Sequence, residues 1–184
     1  MRIPVKATVP SARRIAAAGL LAAGLIAATA GGAQAARPKP GGSVPDELKP
    51  PAGNVPAATF NASGVQVYEC SGGEWTFVEP AATLTDSRGR PVAIHFRSPT
   101  WQSTVDSSLV EASAVANVPV AGTIPLLLLK ATENRGDGLF GRVTYIQRLA
   151  TSGGAAPGGS CEDGETKGVP YKAKYRFFVK GTKR

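Results

Sequence analysis

The segment "VPYKAKYRFFVK", Val169 to Lys180, constrains the fold more than any other stretch, because its polarity changes at every second residue. In an extended strand successive side chains point to opposite faces. Tyr171, Ala173, Tyr175, Phe177 and Val179 therefore share one face, and Lys172, Lys174, Arg176, Phe178 and Lys180 share the other. The first face suits a core; the second is a cationic stripe interrupted by one aromatic ring. Upstream, short β-favouring runs recur between clusters of Gly, Pro, Asp and Asn, the pattern of an all-β antiparallel sandwich or barrel. "GVQVYEC" and "EWTFVE" flank "SGG" and predict a hairpin around Gly72 and Gly73. "ATLTDSRGRPVAIHF" repeats the scheme with "DSRGR" as its turn. Two segments leave helix and strand open. In residues 108–116 small apolar residues fall at alternate positions from Val110 to Ala116, and strand is the expectation. Residues 124–131 hold "IPLLLLKA", an apolar run without a period that suits a strand buried on both faces.

The N-terminus sets the compartment. Arg2, Lys6, Arg13 and Arg14 precede the uncharged stretch "IAAAGLLAAGLIAATA", and Ala33 and Ala35 stand at the small-residue positions of a cleavage site. Residues 1–35 read as a signal peptide cut before Ala36, with an uncleaved anchor as the alternative. Arg13 and Arg14 also fit twin-arginine export loosely; the general secretory route accounts for the same basic residues and is the expectation. Residues 36–59 are crowded with Pro and Gly and read as a flexible tether, so a single β domain is expected over 60–184. No later apolar run approaches the roughly 20 residues of a spanning helix, so the mature chain is expected to contain no membrane span.

Removing the leader takes four of the 21 Lys and Arg and none of the 13 Asp and Glu, so the formal charge falls from +8 to +4, 17 cations against 13 anions. That balance argues against a specific nucleic-acid partner, which calls for basic residues clustered on one face. Two cysteines remain, Cys70 and Cys161. In an exported chain an intramolecular disulfide is the default. A reactive thiol would want basic neighbours, whereas Glu69 precedes Cys70 and Glu162 and Asp163 follow Cys161. Zinc would need more ligands than one histidine and two cysteines supply, so no metal is expected.

"GDGLFG", Gly136 to Gly141, has the glycine spacing of a dinucleotide-binding loop, but such a loop must lead from a strand into a helix. "RVTYIQRL" follows instead, and its β-favouring residues make the glycines a hairpin connection. Neither nucleotide nor any other cofactor is expected. The single histidine, His95, lies in "PVAIHF", where Val92, Ile94 and Phe96 take one face and Ala93 and His95 the other. It reads first as a hydrogen-bonded structural or surface residue, and second as a general base supported by Asp106. No serine stands in a nucleophile elbow.

"GVQVYEC", Trp75 with "ATL", "HFRSPTW" with a following "DSS", "IPLLLLKAT", "VTYIQRLATSGGAAPGGSC" and "VPYKAKYRFF" occur in an order that resembles the secreted domain-of-unknown-function family 3455, known from bacteria and fungi. The resemblance runs over residues 44–179. It implies an exported β protein with cysteines at these two places, and it carries no established activity and no catalytic residue. The chain departs from the family pattern at Ser98 and Ser107, where glycine is usual, and at Lys174, where an acid is frequent. Serine in place of glycine twice implies a backbone less constrained than an anion-cradling loop requires.

Two function classes follow. The first, preferred, is a secreted or cell-surface binding module for polysaccharide or another anionic polymer, contacted by Trp101, Phe178 and Trp75 with Lys172, Lys174, Arg176 and Lys180 through stacking and charge. The second is a small hydrolase using His95 with Asp106.

Overall fold

The computed structural model describes residues 43–182. Eight strands follow one another: β1 (Asn54–Ser71), β2 (Glu74–Thr85), β3 (Pro91–Phe96), β4 (Thr100–Ser103), β5 (Leu109–Val118), β6 (Leu126–Arg135), β7 (Val143–Gly153) and β8 (Thr166–Lys180). Each pairs antiparallel with its sequence neighbour, and β8 returns to pair with β1, so the sheet closes into an up-and-down barrel. Both segments left open by the sequence, 108–116 and 124–131, lie largely in strands, β5 and β6. The first hairpin turns at Gly72 and Gly73, both with positive φ as the tight two-residue turn demands.

The alternation expected of the last strand is the alternation observed. Tyr171, Ala173, Tyr175 and Phe177 point into the barrel and are buried, while Lys172, Lys174 and Lys180 face outward and are exposed. Phe178 departs from its neighbours on the outer register and is buried. On β1 the matching inward row is Phe60, Ala62, Gln66, Tyr68 and Cys70. On β3 the apolar row is not the inward one. Ala93 and His95 point inward, and the apolar row of Val92, Ile94 and Phe96 lies outside, with Ile94 42% exposed.

Ordered structure begins before Phe60, the start expected from composition. A 3-10 turn at Asp46–Leu48 places Leu48 against Leu126 and Leu128 on the outside of β6, where it is fully buried. Gln147 Nε2 donates to the Leu48 carbonyl at 2.6 Å. β1 then starts at Asn54. Of the segment read as a tether, residues 43–59 thus belong to the domain; residues 36–42 and the expected signal peptide lie outside the described residues. This strap explains the four consecutive leucines. Leu127 and Leu129 serve the barrel interior, and Leu126 and Leu128 serve the strap. Burying a leucine contributes about 1.5–3 kcal/mol.

Cys70 and Cys161 form a disulfide. The bond ties the end of β1 to the loop before β8 across a sequence separation of 91 residues. In the chain-entropy account, closing a loop of that size stabilises the fold by about 4–5 kcal/mol.

Ser98 and Ser107 run against the expectation that the backbone at these turns is less constrained than in an anion-cradling loop. Both sit in the left-handed region, with φ of 78° and 63°. A residue with a Cβ is disfavoured there, and Ser98 is further restricted by preceding Pro99. We predict that Ser98→Gly and Ser107→Gly each stabilise the fold by about 0.5–1 kcal/mol, because relief of strain outweighs the entropy glycine adds to the unfolded chain. Thermal melts should rise by about 2–4 °C per kcal/mol; unchanged or lower midpoints would refute strain at these two turns.

Candidate functional site

The two ends of the barrel are built differently. At one end lie the connections 86–90, 104–108 and 136–142; at the other lie 72–73, 97–99, 119–125 and 154–165. The first end is sealed. Phe140, in the glycine-rich loop, is fully buried and packs on Phe177 with ring centroids 4.8 Å apart. Asp106 holds this plug: one carboxylate oxygen accepts the Ser108 N–H at 3.0 Å and the Ser108 hydroxyl at 2.6 Å, and the other accepts the Leu139 N–H at 2.9 Å. Ser108 Oγ in turn accepts the Phe140 N–H, and Asn134 Nδ2 donates to the Phe140 and Val143 carbonyls. The glycine spacing has its explanation here. A Cβ at Gly138 would collide with the Asp106 carboxylate, and one at Gly141 with the Gly136 carbonyl.

The other end holds a cavity of about 660 Å³ reaching into the barrel. Its mouth arises from unequal strands. β3 and β4 are only six and four residues long, and their pairing stops at Ala82 on β2 and Glu111 on β5. The wall therefore steps down at the 97–99 turn, and Phe77, Pro80, Ser98, Pro99 and Ala114 line the cavity beside this step. An Arg97–Glu79 ion pair with N and O 3.3 Å apart links the turn to β2. Ala112, Ile124, Leu127 and Leu129 contribute an apolar wall.

Among these apolar residues stand several polar ones. Trp101 and His95 are stacked face to face at 4.2 Å, with Tyr175 edge-on to both. His95 Nδ1 lies 2.8 Å from the Thr100 carbonyl. A carbonyl only accepts, so the proton is on Nδ1 and the neutral ring leaves Nε2 bare. Burial depresses the His95 pKa to about 3; the hydrogen bond to Thr100 opposes the shift, and the positive charge of Arg148 adds to it. Arg148 pairs in register with Leu127 and Tyr175, both inward-facing, and its Nε donates to the Pro125 carbonyl at 3.0 Å. Gln66 Nε2, Trp101 Nε1 and the hydroxyls of Tyr171 and Tyr175 are buried without a hydrogen-bond partner. The tyrosines, Gln66 and Arg148 lie close enough to influence one another's ionisation, yet the two hydroxyls form no hydrogen bond of ordinary geometry. Burial raises the pKa of both hydroxyls and keeps them protonated.

The residues singled out from sequence are dispersed by this arrangement. Trp101 is fully buried at the cavity, and Phe178 is buried elsewhere, so neither offers an outer stacking platform. Lys172 and Lys174 flank a shallow depression with Asn61, Ser63 and Thr85; Arg176 is half-buried, and Lys180 lies near the sealed end. Trp75 sits opposite Cys70 at the cavity end, with Lys167 Nζ 5.8 Å from its ring centre. His95 and Asp106 are not joined by a hydrogen bond, since Asp106 serves the plug and His95 Nδ1 serves Thr100. Sequence reading missed Arg148, Gln66 and Tyr68 as cavity residues. The available signal was a charged residue two positions from Ile146 on an inward row.

Two pH-dependent outcomes follow. His95 has a folded pKa far below its unfolded value of about 6.5, so its contribution to stability is complete above that pH and is lost as pH falls towards about 3. Its ring resonances should show no titration between about pH 5 and 8; an inflection near 6.5 would refute burial of the neutral ring. Hydrogen bonds from Ser108 and Leu139 lower the Asp106 pKa to about 2, so its contribution is present above about pH 4 and fades below. Asp106→Asn should therefore lower the melting temperature at neutral pH and narrow the gap to wild type at pH 2. A neutral-pH melt equal to wild type would remove Asp106 as the clamp.

Among curated proteins and among solved structures, nothing matches the chain. The sequence profile described as "Protein of unknown function (DUF3455)" matches residues 51–179, which take in the whole of β1 to β7 and β8 up to Val179. The chain belongs to the DUF3455 family.

Proposed function

We propose that this protein is a non-catalytic binding protein that works outside the cytosol and holds a small, largely apolar molecule inside its barrel. The observation that carries this reading is the 660 Å³ cavity, which lies within the roughly 300–1,000 Å³ typical of ligand sites. Eight strands enclose either a filled core or room for one small ligand. Here the sealed half is filled and the open half is not. A mostly apolar wall with a few convergent polar groups supplies affinity from burial and orientation from the polar atoms.

Export is supported by the disulfide and by the basic, then apolar, leader of the sequence. No helix among the described residues is long and apolar enough to cross a membrane. Polysaccharide or anionic polymer as the partner has a weaker footing, because Trp101 and Phe178 are withdrawn from the surface. Charge alone, from Lys172, Lys174 and Lys180, supports it.

A neutral naphthylamine dye tests the interior site. We expect saturable one-to-one binding with enhanced dye fluorescence, weakened at least ten-fold by Ala114→Phe. Ala114 lines the cavity and is exposed, so the larger ring obstructs the mouth without overpacking the core. Non-saturable binding, or binding indifferent to Ala114→Phe, would sink the proposal.

A further inference from the structure

We infer that the molecule held in the barrel is an acid whose carboxylate seats on Arg148. The inference rests on the interior-binding reading above and adds the chemistry of the ligand's polar end.

Among the described residues Arg148 is the only cation lining the cavity, and no Asp or Glu lines it. The missing counter-charge is not supplied from elsewhere. All 13 acidic residues of the chain fall within the described residues, and the three ion pairs among them engage Asp46, Asp86 and Glu79 with other partners. His95 is neutral and contributes no charge at working pH. A guanidinium carries five N–H donors in a planar fork. Among the described residues the one hydrogen bond of ordinary geometry from Arg148 runs from Nε to the Pro125 carbonyl and fixes the side chain against the 119–125 loop; the guanidinium has the neutral Tyr175 hydroxyl near it and no carboxylate paired with it.

The neighbouring polar atoms share the same bias. Gln66 Nε2, Trp101 Nε1 and Tyr175 OH all belong to cavity-lining residues, all can donate, and none has a partner. Buried donors without acceptors are costly and rare in native proteins. A site combining an unpaired guanidinium with surplus donors is complementary to an anionic acceptor, and the arginine fork matches a carboxylate in two-point geometry. The apolar wall of Ile124, Leu127 and Leu129 then takes the hydrocarbon body, while Ser98 and Pro99 flank the entry. An amphipathic acid presents both halves at once.

The test uses the full chain and two pairs of probes that differ only in charge: decanoate against decanamide, and naphthoate against its amide, each titrated by calorimetry at neutral pH. Two hydrocarbon bodies are used because the walls offer both aliphatic and aromatic contact. We expect at least one acid to bind ten-fold or more tightly than its own amide, about 1.4 kcal/mol. The preference should disappear in Arg148→Gln and survive in part in Arg148→Lys, with melting curves checking that each variant is folded. Equal affinity of acid and amide in the wild-type protein overturns the carboxylate inference by itself, whether or not the variants fold. In that case saturable binding of the neutral dye leaves the interior-binding reading standing, whereas its failure removes both. An acid preference that persists unchanged in folded Arg148→Gln overturns the assignment to Arg148.

Discussion

Closure of the sheet by β1 and β8 is the constraint on which the rest depends. Their pairing runs from Asn54 opposite Lys180 to Glu69 opposite Thr166, interrupted by a single irregularity near Pro56. Closure leaves no unpaired outer edge along this seam and commits every second side chain to an enclosed space of fixed width. Phe60, Leu84, Phe140 and Phe177 occupy that space at one end. At the other end Ala112 and Ala114 stand on β5 where large residues would be needed to fill it. The cavity is thus a consequence of barrel geometry combined with small residues on one strand and short strands beside it.

Polar chemistry is distributed just as unevenly. At the sealed end Asp106, Ser108 and Asn134 together satisfy four backbone groups of the plug. Fully connected networks of this kind rigidify a structure. At the open end, Gln66, Trp101 and Tyr175 leave polar atoms unmatched. Gln147 Oε1 and Thr151 Oγ1 are also unmatched, but among the described residues the cavity lining holds three such groups together, a local departure from consistency of the kind that supports the interior-binding proposal.

Much of the architecture was legible in the sequence because strand period is a local property. The inward row of β8 and the turns at Gly72–Gly73 and Asp86–Arg90 follow from residue order alone. The β3 face could not be settled that way. Val92, Ile94 and Phe96 have the composition of a core row, yet the interior beside a cavity accepts Ala93 and His95, and the apolar row faces outward. Hydrophobicity reports which residues prefer burial; it does not report which side of a closed sheet is short of material. Leu48 was lost to the same limit, since a Pro-rich segment advertises no period even when it straps one buried leucine across β6. Nor does a strand pattern reveal that Trp101 meets His95 across the β3–β4 register, which makes one aromatic stack from residues six apart.

Strain lies where these features meet. Ser98 adopts a left-handed backbone immediately before Pro99, at the turn that ends β3 and lowers the barrel wall. A strained φ costs on the order of 1–3 kcal/mol and persists only where the surroundings over-determine it. Here they do: Arg97 is paired with Glu79, its carbonyl accepts the Thr100 hydroxyl, and the Thr100 carbonyl holds His95. The turn that opens the mouth therefore also orients the imidazole, and through the stack it fixes Trp101. Any change that relaxes Ser98 acts on both the entrance and the aromatic wall behind it, so stability and the shape of the cavity are coupled through a single residue.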